Sequence, residues 1–426
     1  MKPLYAEYIP KFFGLLRTHE IFPETNETSI KVREEYSNIF KMLLEEEMTN
    51  EIILEVYGNH FLLNNKLIKP ESSNVILYTR LLLRMKKLDL LRIKISSDLG
   101  MEELMEFLNL YKKAISDPKE IEYLKKKDFK SIKFWGKEKI ENYEEKTYQA
   151  SVLNFLDILS KVLVFHSHTY KQLIQKNPID FLNVRRIFQE FISSVNEIED
   201  KSLGFLPLGL NEKEEFVHSV LRAIIATRFG VYLKIPLPLI EDFVFLSLFG
   251  TVGLEMVPRE ILDKKEILKE EKSLIENIGF YTYEILLNMR ILTPSTALIL
   301  NSSVLLSSKK IQENPFFEVF KIIRNYESLI QNKPYRFCYH PQKAMEILWK
   351  ERDKTLRKDY LESFFSFLSK EPIGSTFLDE KENILVVFSK GEYKKLKDGK
   401  WEISDSKPSK AIPLHKLKYN PIGAFI

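Results

Sequence analysis

Histidines, carboxylates and a lone thiol are where chemistry in this chain would have to begin. His166 and His168 are the only closely spaced histidines. They fall in residues 155–175, whose apolar spacing predicts a helix, and side chains two apart on a helix point to nearly opposite faces. They would share a metal only on a strand, so a separate packing role for each is the default reading. His19, His60, His340 and His415 stand alone and read as surface or satisfied core groups. Cys338 is the single cysteine, which excludes an intramolecular disulfide and a cysteine-based zinc cluster. Its neighbours, Tyr335–Arg336–Phe337 and Tyr339, favour a buried inert thiol over a nucleophile. Acid runs such as Glu45–Glu46–Glu47, and basic runs such as Lys125–Lys126–Lys127, read as solvated faces. Lys394–Lys395–Leu396–Lys397 with Trp401 is the nearest approach to a nucleic-acid platform, which needs aromatics and cations on one exposed face.

Several reaction classes have no counterpart. There is no phosphate-binding P-loop, no Gly-rich dinucleotide fingerprint after a strand and no Gly-x-Ser-x-Gly elbow. The 64 basic and 60 acidic residues leave a net charge of +4, which gives no electrostatic case for nucleic acid or an anionic membrane as main partner. The N-terminal stretch sets Glu7 and Lys11 among its apolar residues and has no signal-peptide core. Residues 243–257, the most apolar stretch, are too short to span a bilayer and are interrupted by Gly250 and Gly253. The expected compartment is the cytoplasm.

The elements that would position these residues are mostly helical. Val32, Tyr36, Ile39, Phe40, Leu43 and Leu44 recur at three- and four-residue spacing and predict a helix over 27–47. Apolar runs at 52–57 and 61–63 flank Gly58–Asn59 and predict a hairpin. Helix is expected again over 73–87 and 101–113, and strand over 90–96 and 131–135. These make a small α+β domain at 1–137. Residues 138–146 are highly charged and read as a linker or helix start. From 147 to 371 nearly all the periodicity is helical, with breaks at Gly and Pro. Residues 372–426 begin with short strands at 374–378, 384–388, 393–396 and 401–403, joined by charged turns such as Asp398–Gly399, a small β appendage.

Within the helical block, ordered pieces resemble the HD-GYP branch of the HD phosphohydrolase superfamily. Phe216–Val217–His218–Ser219–Val220 opens a helix running to Gly230 and is similar to the family's His-Ser helix. Leu246–Ser247–Leu248–Phe249–Gly250–Thr251–Val252–Gly253, then Val257–Pro258–Arg259–Glu260–Ile261–Leu262, fits the spacing of the family's "LLHDIGK…VPxxIL" segment. Ile323–Arg324–Asn325–Tyr326–Glu327–Ser328–Leu329, with Lys333–Pro334–Tyr335–Arg336, looks like "ADVYDALTSxRPYR". His340–Pro341 with Ala344–Met345–Glu346–Ile347–Leu348 is like "SPxEALELL", and Pro372–Ile373–Gly374–Ser375 is like the "PVGS" that opens a β tail. The set covers roughly residues 200–390. Residues 1–137 resemble a domain often found ahead of such HD domains, through Leu15–Leu16–Arg17 and the hairpin over 56–67 with Asn64–Asn65. The resemblance implies a mostly α fold: an HD-like helical bundle with the N-terminal α+β domain and the β extension.

It also implies a metal chemistry that this chain departs from. HD enzymes hold two or more cations through His and Asp, and the cations activate water and clamp phosphate oxygens. The family's His-Asp pair falls on Gly250 and Thr251, and the lysine after it on Leu254. Its next histidine belongs within 273–286, where there is none, and its paired histidines near 300–303, where the chain reads Leu-Asn-Ser-Ser. Its later metal Asp falls on Arg324, the Gly-Tyr-Pro loop is missing, and His218 alone survives. A unit charge pair at about 4 Å is worth on the order of 4 kcal/mol at an effective dielectric of about 20, so a guanidinium beside a divalent cation is strongly repulsive. The expectation is a protein without metal or other cofactor. It would be a catalytically inactive signalling or scaffold protein acting through a protein partner or self-association. Its alternatives are a divergent cyclic di-GMP phosphodiesterase and a non-hydrolysing cyclic di-GMP receptor.

Overall fold

In a computed structural model the chain divides into two compact units, Met1–Asn154 and Phe155–Ile426. The structure describes residues 4–70, 74–177, 179–209, 215–262, 264, 266, 268–288, 293, 296–297, 314–333, 336–417 and 421–426. Helix dominates, with two small antiparallel sheets.

The first unit runs α1 (Leu4–Ile21), α2 (Glu27–Glu46), β1 (Glu51–Tyr57), β2 (His60–Leu63), β3 (Lys66–Ile68), α3 (Val75–Lys87), β4 (Arg92–Ser96), α4 (Met101–Ser116), α5 (Ile121–Lys126) and β5 (Ile132–Trp135). Its sheet has the order β3-β2-β1-β4-β5. Two tight turns set the register of the first three strands. Tyr57 pairs with His60 across Gly58–Asn59, and Leu63 with Lys66 across Asn64–Asn65. Gly58, Asn64 and Asn65 all take positive φ, which Gly and Asn tolerate best. The third strand, β3, pairs with β2 and extends the expected hairpin to three strands. The core joins Tyr8, Phe12 and Leu16 of α1 to Tyr36 and Leu43 of α2, Leu81 of α3 and Phe107 of α4, with Leu54, Val56, Phe61 and Ile93 from the sheet. Asn26 caps α2 by accepting from the Thr28 amide at 2.9 Å. Within the charged 138–146 stretch, Ile140 is buried in this same core.

Helix α6 (Tyr143–Ile174) contains the boundary between the units. The second unit continues with α7 (Phe181–Glu197), a 3-10 segment at Glu199–Gly209, α8 (Glu215–Tyr232), α9 (Leu237–Phe249), a 3-10 turn at Val252–Met256, α10 (Arg259–Leu262), α11 (Lys269–Glu276) and α12 (Ile278–Asn288). Then come α13 (Pro315–Ile330), α14 (Pro341–Lys350), α15 (Lys358–Leu368) and the strands β6 (Thr376–Leu378), β7 (Ile384–Ser389), β8 (Glu392–Lys397), β9 (Lys400–Ser404) and β10 (Lys410–Ala411), in the order β10-β6-β7-β8-β9. Gly230 lets α8 and α9 approach: a Cβ there would lie 3.0 Å from Ile240. Residues 300–303 and Pro334–Tyr335, which the sequence comparison used, lie outside the described residues. Two helical stretches are long and apolar enough to cross a membrane, Tyr143–Ile174 and Leu237–Met256; 44% and 67% of their apolar windows are buried in the protein.

Candidate functional site

Helix α8 carries His218 and Arg222 one turn apart, so both project from one face. That face meets Glu327 on α13. His218 Nδ1 lies 3.4 Å from Glu327 Oε1, and Arg222 Nη2 donates to Glu327 Oε2 at 3.2 Å. Arg222 Nη1 also donates to the Ser247 carbonyl near the end of α9, at 3.3 Å. All three charged or titratable side chains are buried, Glu327 completely. Burial pushes the Glu327 carboxyl up, but Arg222 above all, with His218 and Lys333, outweighs it and holds the group down at about 2. The carboxylate is therefore ionised and already committed to a guanidinium. Truncating one partner of such a pair leaves an uncompensated buried charge.

Beside this cluster, His166 of α6 has no solvent exposure. Its ring meets Tyr170 and Phe249 edge-to-face at 5.5 and 5.1 Å, and neither ring nitrogen has a hydrogen-bond partner. Burial first, and the Arg222 charge second, lower its pKa to about 3, so it stays neutral. His168 lies on the exposed side of the same helix and meets Gln172 at 3.0 Å.

Gly250 and Thr251 work through their backbones. Gly250 ends α9, its amide donating to the Leu246 carbonyl at 2.8 Å. Tyr170 donates to the Thr251 carbonyl at 3.3 Å, and Thr282 donates to the Gly250 carbonyl at 3.4 Å while accepting from the Gly253 amide at 3.0 Å. A Cβ on Gly253 would sit 2.4 Å from the Ile278 carbonyl, so the turn lies flat on α12. Arg324 is half-buried on α13; the carboxylate facing His218 belongs to Glu327, one turn further on. Sequence reasoning did not single out Arg222, Glu327 or the burial of His166. The signal was present: Glu327 lies in an otherwise apolar stripe with Phe320, Ile323 and Ile330, and Arg222 lies among Val220, Leu221 and Ile224.

A di-metal centre does not fit these residues. Among the described residues no three His, Cys, Asp or Glu side chains come together as a metal site requires. One imidazole and a carboxylate engaged by a guanidinium are too few donors for paired cations. No family model, curated protein or solved structure matches the chain.

The remaining candidates resolve into structural roles. His340 caps α14, accepting from the Gln342 amide at 3.3 Å while Nε2 donates to the Thr376 carbonyl at 3.1 Å. Cys338 is buried 3.9 Å from His415 Nδ1, and burial raises its pKa, which keeps the thiol protonated. His19 bonds Asn109 at 2.9 Å, and His60 is buried. Glu45 and Glu46 are exposed, and Glu47 pairs with Lys66 at 2.7 Å. Lys125 pairs with Asp89, and Lys127 with Glu106. On β8 the lysines alternate between faces: Lys394 lies 4.0 Å from the Phe388 ring centroid and donates to the Ala424 carbonyl, whereas Lys395 turns to Asp379 at 3.7 Å. They do not form one basic face with Trp401.

Proposed function

We propose that residues 147–371 form an HD-GYP-like helical domain that has lost its catalysis and that the protein is a cytoplasmic signalling or scaffold component working through protein contacts. In this reading residues 1–137 form the sensory or interaction domain, 147–371 the helical domain and 372–426 the β extension. What supports it is the Arg222–Glu327 pair with His218 against it. A buried guanidinium takes up the carboxylate that stands nearest the surviving family histidine. The cluster fastens α8 to α9 and α13, which suits a rigid platform rather than a site that turns over.

The test combines metal analysis of protein purified from iron-, manganese- and zinc-supplemented culture with a cyclic di-GMP turnover assay. The expected result is substoichiometric metal and no hydrolysis. Stoichiometric metal with turnover would replace this reading by the phosphodiesterase one, and saturable heat on titrating cyclic di-GMP without turnover by the receptor one.

A further inference from the structure

Helix α6 is unusually apolar for a helix so incompletely covered: less than half of its apolar window is buried. The part within the second unit has two distinct faces. Phe155, Val162 and His166 are buried. A second face, turned a quarter to a half turn from the first, carries Leu156, Ser160, Leu163 and Val164, of which Ser160 and Val164 are exposed, Val164 to 73%, and the two leucines half-buried. Along one flank run Asp157 and Lys161, paired at 3.0 Å. The Ser160 hydroxyl turns back to the Leu156 carbonyl at 2.8 Å, so it presents a small, locally satisfied surface.

We propose that a second copy of this chain covers this face, with α6 packed antiparallel on α6 of its partner about a two-fold axis near Ser160. The choice of occupant follows from symmetry and charge. In an antiparallel pair, equivalent flanks meet, so the axis sets Asp157 of each copy beside Lys161 of the other and closes an alternating ring of four charges. A parallel pair would set that charged flank against the leucine flank. Ser160, the smallest side chain of the face, falls where the helices come closest, and Leu156 falls beside the other copy's Leu163 on the leucine flank. A bilayer is a poorer occupant, since Asp157 and Lys161 border the face. The proposal rests on reading the chain as an interaction protein and names its partner.

Sedimentation equilibrium on the full chain, over a concentration series, should show a dimer. Val164→Asp adds a charge at an exposed position, so it should retain the wild-type circular dichroism and sediment as a monomer. Ser160→Cys should give a disulfide-linked dimer on mild oxidation, because a two-fold axis at this residue brings two Cα atoms to about the 5.5 Å that a disulfide needs. Lys171→Cys, about 16 Å along the helix at 1.5 Å per residue, should not cross-link. A wild-type monomer at all concentrations overturns the proposal, as does a dimer that Val164→Asp leaves intact or that Ser160→Cys fails to lock. Any of these leaves the non-catalytic reading standing, whereas bound metal with turnover would remove that reading and leave the dimer untouched.

Discussion

His166 shows how one neutral imidazole can set acid sensitivity. In the unfolded chain it takes a proton near its ordinary 6.5; in the folded protein burial and Arg222 hold it unprotonated to about 3. The unfolded state thus binds the extra proton between these values, and this contribution to stability is full above 6.5 and declines as pH falls toward 3. The slope is roughly 1 kcal/mol per pH unit. Glu327 adds a second loss lower down, since its stabilisation is full above its ordinary 4.5 and falls away as pH drops through about 2. His166→Phe keeps a ring between Tyr170 and Phe249 and removes the titration. Urea unfolding of this variant should lose about 1 kcal/mol less than the wild type between pH 6 and 5, the remaining slope coming from His340, whose pKa burial also lowers. Equal slopes for the two proteins would show that His166 does not carry the effect. In the sequence this histidine was one member of a closely spaced pair. Helical periodicity separated it from His168, but its burial beside Arg222 depends on which helices pack together, and no local pattern encodes that.

Among the elements, the join between the 3-10 segment and the β extension gives the sharpest test. Gly374 has φ +83, and a Cβ there would lie 3.3 Å from the Gly204 Cα and 3.4 Å from the Leu203 carbonyl. Gly391, in the β7–β8 turn, has φ +82 with open space around it. Alanine at Gly391 should cost only the left-handed backbone strain, about 1 kcal/mol. Gly374→Ala should cost more, because the 3-10 segment must also move; equal losses in chemical denaturation would refute the close approach. The strands of this extension were legible because each apolar run is short and bounded by turn residues, as at Asp398–Gly399, where both φ are positive. Strand β10, two residues long, was not, and neither was β3, a three-residue stretch that opens on charged Lys66 directly after the Asn64–Asn65 turn. The helices could be traced by their 3.6-residue spacing, but periodicity gives a buried face and not its neighbour. Hence Gly250, Thr251 and Arg324 could be placed on their elements, while the His218–Arg222–Glu327 contact could not be foreseen.

At the scale of the whole molecule, two compact units imply two sources of cooperativity. The first unit has a core of its own, from Tyr8 on α1 to Ile132 on β5, closed by Ile140 and Ala150. The second buries a separate set, including Phe229, Phe243, Tyr326 and Phe364. A core of each size supports an independent transition, since burial rises with domain length and single domains usually unfold all at once. Scanning calorimetry of the full chain should therefore give an endotherm wider than one two-state transition, with the van't Hoff enthalpy below the calorimetric one. Gly374→Ala supplies the assignment: its strain lies wholly in the second unit, so it should lower one component and leave the other in place. A single endotherm with equal enthalpies, moved bodily by Gly374→Ala, would mean that the two units unfold as one.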